Sequence, residues 1–207
     1  VQTCALPISE AETMKADGAS LCYVNAELID ENGNVVPDAD RLLNAEVTGA
    51  ATLLYLYSHF LENLPKRTLR FVWCGSEEQG LYGSHAYVDQ NPELVKEIGL
   101  CFNFDMCGTV LGHNFIYVTG SDELRHFAEQ YAREVGYSAA VEVKVHSSDS
   151  APFADAGVPA LGISRRTNTA DIHTRNDLLF PLSAEAMAIT GGFAAGIISR
   201  AANAAVL

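Results

Sequence analysis

The sequence predicts an α/β domain in which helices cover both faces of a largely parallel sheet. Two observations carry that prediction. From residue 47 onward, short apolar runs rich in β-branched and aromatic residues alternate with longer segments whose apolar residues recur three and four apart. Several of the short runs are apolar without alternation, as strands covered on both faces are, and parallel strands need long crossover connections of the helical kind. Ligands of such a sheet gather at the carboxyl ends of its strands.

Residues 47–64 read as a helix stopped by Pro65, and 68–74 (TLRFVWC) as a strand buried on both faces. Residues 80–88 are helical and 100–105 form another buried strand. A short strand at 115–118, an amphipathic helix at 122–135 and a strand of alternating polarity at 141–145 follow. The last strand is 159–163, and 184–202 is the closing helix with Ser183 as its cap. Upstream, only 21–29 is strand-like; the rest of 9–46 is polar, acidic and turn-rich. The first eight residues, VQTCALPI, read as the translation of a short-read sequencing adapter, so 1–8 are taken as a scar and the natural amino terminus, with any targeting signal, as missing. The expected organisation is therefore a scar at 1–8, an unassigned segment at 9–46 and one catalytic domain at 47–207.

Composition narrows the function. Asp and Glu number 26 against 13 Lys and Arg, a formal charge of −13, so the field repels nucleic acid and anionic membranes and attracts metal ions and substrates with a free amino group. No apolar run is long enough to span a bilayer. The cysteines outside the scar show no CxxC pair and no disulfide-scaffold spacing, which favours free thiols over a thiolate zinc site.

Three places carry candidate chemistry. Glu77 and Glu78 sit just after the strand at 68–74; they either stabilise a helix start capped by Ser76 and Gln79, or one binds a metal while the other takes a proton from metal-bound water. Asp105 ends a buried strand, where it is either a turn or cap residue or a hard oxygen ligand suited to zinc. His173 follows the last strand, as a solvated loop residue or a ligand brought to the same edge. Asp149, in His146-Ser147-Ser148-Asp149, either caps a short helix or orients a ligand from behind, and Asp177 is a turn residue or a further site carboxylate. No G-x-S-x-G elbow points to a serine hydrolase.

In order, Glu77-Glu78 with Gly80-Leu81-Tyr82-Gly83-Ser84, then Asn103-Phe104-Asp105-Met106, Ser148-Asp149 and His173-Thr174 resemble the co-catalytic zinc aminopeptidases, relatives of glutamate carboxypeptidase and glutaminyl cyclase. The resemblance spans about 47–207 and implies a three-layer α/β/α sandwich around a mostly parallel mixed sheet, and removal of the amino-terminal residue from peptides. It implies Glu77 as general base, Glu78 and His173 as ligands of one zinc and Asp105 as ligand of the other. The sequence departs from the family at the first metal site. Glu27 stands where a histidine is expected, Ala45 where a bridging aspartate is expected, and Ile172 where a tyrosine is usual. Two zinc ions are thus expected of the family, and one or none of this chain. The alternatives are a damaged upstream segment, a single-zinc or cyclase-like enzyme, and a silent homologue.

Overall fold

The computed structural model describes residues 4–9, 24–29, 45–144, 148–167 and 182–204. The chain divides into two compact units, residues 1–41 and 42–207. In the first, β1 (Cys4–Ser9) pairs antiparallel with β2 (Val24–Ile29), Cys4 opposite Ile29.

The second unit begins with α1 (Ala45–Glu62), followed by a 3-10 turn at Glu77–Gln79, α2 (Tyr82–Gln90) and α3 (Pro92–Val95). Then come β3 (Cys101–Phe104), β4 (His113–Thr119), α4 (Asp122–Glu134), β5 (Ala139–Val143), α5 (Ser150–Asp155), β6 (Ala160–Arg166) and α6 (Ala184–Asn203). Helices α4 and α6 start where sequence chemistry places them. Ser121 accepts from the Leu124 amide at 3.3 Å and Ser183 from the Ala186 amide at 3.1 Å, each satisfying a donor that the first helical turn leaves open.

The sheet order is β3-β6-β4-β5. The β3–β6 and β4–β5 pairs are parallel, but β4 and β6 are antiparallel, so the sheet is mixed, and the strand that comes last in sequence lies inside it. On one face the main core gathers Leu56 and Phe60 of α1, Ile116 and Val118 of β4, Leu161 and Ile163 of β6, and the apolar stripe of α6. On the other, Val95, Phe153 and Val158 pack with Tyr87 and Ile98. These are the three layers of an α/β/α sandwich.

One expected element is absent. Residues 68–74 form no ladder, and Trp73 is 47% exposed rather than buried. They keep a strand's two-residue period nonetheless: Phe71 meets Tyr57 edge-on at 5.5 Å and the Trp73 indole N–H reaches the Ala50 carbonyl at 3.5 Å, both on α1. What is lacking is a hydrogen-bonding neighbour, because a cavity separates this segment from β3.

Candidate functional site

The loop carrying Glu77 is built by backbone approach rather than side-chain capping. Ser76 precedes the 3-10 turn in the left-handed region (φ 57°) and makes no side-chain cap, so the expected Ser76–Gln79 capping box does not form. The turn closes through Gly80 N–H to Glu77 O at 3.1 Å, and Gly83 N–H donates to Gly75 O at 3.0 Å. A Cβ on Gly83 would lie 2.6 Å from the Gly75 backbone, so only glycine lets α2 begin this close to the end of 68–74. Glu77 is half-buried and lines the cavity; Glu78 is exposed and does not.

Asp105 follows β3 directly, with its amide turned to Ile163 O at 3.5 Å. Its Oδ2 accepts the Ser148 hydroxyl at 3.3 Å, and Ser148 Oγ in turn accepts from Asn103 Nδ2 at 2.9 Å. Ser148 is 2% exposed, so this relay holds one side of the carboxylate away from water. The reversal after Asp105 is strained: Met106 has φ 52°, a left-handed conformation that costs a side-chain-bearing residue about 1 kcal/mol or more. It is over-determined by Arg165 N–H to Met106 O at 2.8 Å and Cys107 N–H to the buried Thr48 hydroxyl at 2.9 Å. Among the described residues the non-glycine positions at positive φ are Ser76, Leu81 and Met106, all on the two loops that carry Glu77 and Asp105.

Asp149 makes no side-chain cap for α5, which removes the capping alternative. Its carboxylate instead accepts the Cys74 thiol, and its Oδ1 is a buried oxygen without a partner. Burial, then the Asp149 charge, pushes the Cys74 thiol up to about 12, which makes it a donor and not a nucleophile. Burial likewise carries Cys101 and Cys107 to about 12, with the Asp149 charge adding at Cys101 and the Asp105 charge at Cys107. The thiols of Cys74, Cys101 and Cys107 are free.

Glu77, Asp105 and Asp149 thus line one cavity of about 920 Å³ that runs beside β3, whose carboxyl end leads into Asp105. His173 and Asp177 lie outside the described residues. Among the described residues no group of three or more His, Cys, Asp or Glu side chains is arranged to hold a metal ion. The described donors therefore do not make up a zinc site. Sequence reasoning missed the Asn103–Ser148 support of Asp105 and the Cys74 donor to Asp149.

A family model described as peptidase family M28 matches residues 46–197. The chain is 34% identical over 134 residues to an aminopeptidase of Pseudomonas aeruginosa, covering 58% of this chain and 25% of that protein. The structure of a zinc aminopeptidase from Bacillus subtilis superposes with a TM-score of 0.68 at 24% identity, covering 78% of this chain and 42% of that one, a likeness of fold. The matches span about a quarter of the curated aminopeptidase's length. A second model, glycoside hydrolase family 2 C-terminal domain 5, matches residues 8–64, and 36 residues are 53% identical to the beta-galactosidase BoGH2A of Bacteroides ovatus, 17% of this chain and 4% of that protein.

Proposed function

The chain belongs, through residues 46–197, to peptidase family M28, and from that premise we propose that this unit is a zinc-dependent aminopeptidase acting on peptides with a free amino terminus. Glu77 is the general base that takes a proton from the attacking water and returns it to the leaving amine. Glu78 and His173 are assigned to one zinc and Asp105 to the other, with Asp149 and Asp177 as supporting carboxylates. The excess of acidic residues over basic ones favours a substrate ammonium over an anionic partner.

The observation that carries the reading is the pairing of Glu77 and Asp105 in one cavity, each delivered by a strained loop and Asp105 braced from behind by Ser148. A carboxylate with one oxygen committed to a buried hydroxyl keeps a defined orientation for the other, which is what a ligand or a proton acceptor requires.

The described donors fall short of a metal set, and the chain as it stands is expected to hold fewer than two zinc ions and to hydrolyse poorly. Residues 8–45, which precede the peptidase match, fall within the similarity to a glycoside hydrolase module, which supports the view that they are not the peptidase's own.

The test is zinc content by elemental analysis and hydrolysis of a panel of aminoacyl-arylamides. It is applied to this chain and to a graft whose residues 1–44 are replaced by the segment preceding the matched region in the Bacillus subtilis enzyme. The graft is expected to gain zinc and activity, and Glu77→Gln within it to lose roughly 100-fold to 10,000-fold. A zinc-loaded graft that hydrolyses none of the panel overturns the reading.

A further inference from the structure

One face of the sheet carries a cross-strand row that ends in a cation. Asn103 of β3 and Tyr117 of β4 both pair with Gly162 of β6, one from each side, so the three share a face. A Cβ at position 162 would stand 3.3 Å from Tyr117 Cβ and 3.4 Å from its Cδ2, so the bare glycine is what lets Tyr117 lie this close against β6. Asn103, on the other side, donates to Ser148, whose hydroxyl braces Asp105. Two strand spacings, roughly 10 Å, therefore separate Tyr117 from the strand that leads into the candidate site.

Arg166 lies four residues further along β6 on the same face and turns its guanidinium onto this row. Its Nε and Nη2 both donate to the Tyr117 hydroxyl, at 3.0 and 2.6 Å, and the group stands 5.0 Å from the centre of the Phe115 ring and 5.7 Å from that of Tyr117. Two rings and a phenol thus fix the fork, and its Nη1 has no hydrogen-bond partner among the described residues.

Charge sets this residue apart. Lys96, Arg125, Lys144 and Arg200 each meet a carboxylate. The adjacent Arg165 meets none but commits all three nitrogens to the loop after Asp105: Nε to Thr109 O, Nη1 to Asn114 Oδ1 and Nη2 to Val110 O. Arg166 is half-buried against neutral groups among the described residues, and the Lys144 ammonium lies 4.9 Å over the same Tyr117 ring. A guanidinium partly withdrawn from water is best satisfied by a carboxylate, which accepts its parallel N–H donors. In a chain of formal charge −13 this is a local cationic exception.

We propose that Arg166, held by Tyr117 and Phe115, is the receptor for a carboxylate of the peptide ligand. The ligand's ammonium lies toward the acidic side chains of the cavity and its carboxylate toward β6, so the unit selects peptides with a negative charge close to the amino terminus. Two sources supply that group: an acidic side chain on the amino-terminal residue, or the terminal carboxylate of a dipeptide. That the ligand is a peptide rests on the proposed aminopeptidase function; the carboxylate site rests on the Arg166 geometry.

Two matched pairs of probes, titrated into the full chain, distinguish the sources: leucyl-glycine against leucyl-glycinamide, and glutamic acid α-amide against glutamine amide. Binding is followed by calorimetry and by the NMR signal of the Arg166 Nε–H. At least one carboxylate probe is expected to shift that signal and to bind roughly 10-fold to 100-fold more tightly than its uncharged match, with the difference abolished in Arg166→Gln. A signal that moves with neither carboxylate probe in the unaltered chain overturns the proposal without recourse to a variant, and so does a preference that survives Arg166→Gln. No arm reads zinc or turnover. A zinc-loaded graft that hydrolyses no arylamide therefore removes the aminopeptidase reading and leaves the carboxylate site standing, whereas a silent Arg166 signal removes the site and leaves that reading standing.

Discussion

The two sides of the sheet were made from similar material and ended differently. At its centre, β6 is flanked by β3 and β4, and Ala160 to Ser164 are all buried. At its edge, β3 is every bit as apolar in sequence, yet each of its residues is only half-buried, and the neighbouring 68–74 is partly exposed. An apolar run specifies that a strand wants covering; whether it is covered depends on a partner that may sit far away in the chain or outside this unit.

Core truncations should expose this contrast most strongly. Ile163→Ala, at a position 1% exposed, is expected to cost about 3–4 kcal/mol in denaturant unfolding, whereas Phe102→Ala at the edge costs about half as much because its surroundings are already open. Equal costs would mean that the edge is as tightly packed as the centre. Next in size is Gly49→Ala. Its Cβ would stand 2.2 Å from the Phe104 carbonyl oxygen, so α1 must shift off the end of β3, at about 2–3 kcal/mol by the same unfolding measurement.

A pH series probes the edge through its thiols. Cys101 begins β3 and Cys107 follows Asp105, and burial raises both in the folded protein to about 12, above their ordinary 9.0. Both are neutral when folded, so their contribution is fully present below pH 9 and is lost as pH rises from 9 toward 12, where the unfolded thiols ionise first. The slope approaches about 1.4 kcal/mol per pH unit for each thiol, and Cys107→Ala should flatten it in denaturant titrations between pH 8 and 10. The smallest effect has the opposite sign. Met106→Gly relieves a left-handed residue at the end of β3 and is expected to leave stability unchanged or raise it by up to about 1 kcal/mol, while loosening the Asp105 loop.

Legibility followed the same division. The helices at 122–135 and 184–202 were readable because periodicity runs through both and Ser183 announces the start of the second. The sheet strands at 100–105, 115–118, 141–145 and 159–163 were each found to within a few residues. The strand at 68–74 was readable as a pattern and failed as a structure, since a ladder takes two strands and the second is not beside it. At the site, Glu77, Asp105 and Asp149, expected at strand ends and loops, line one cavity, Glu78 does not, and His173 and Asp177 lie outside the described residues. The braces behind them were not: Ser148 lies 43 residues from Asp105, and Cys74 lies on a different loop from Asp149.

The sequence by itself determined the α/β class, the long helices to within about two residues, and the family, because these rest on local periodicity, caps and motif order. Only the tertiary structure decided that β6 enters between β3 and β4, that Asp105 is braced by Ser148 and Asn103, and that the sheet stops short of 68–74. Each of these depends on which segments meet across long stretches of chain, and no local pattern encodes the identity of a distant partner.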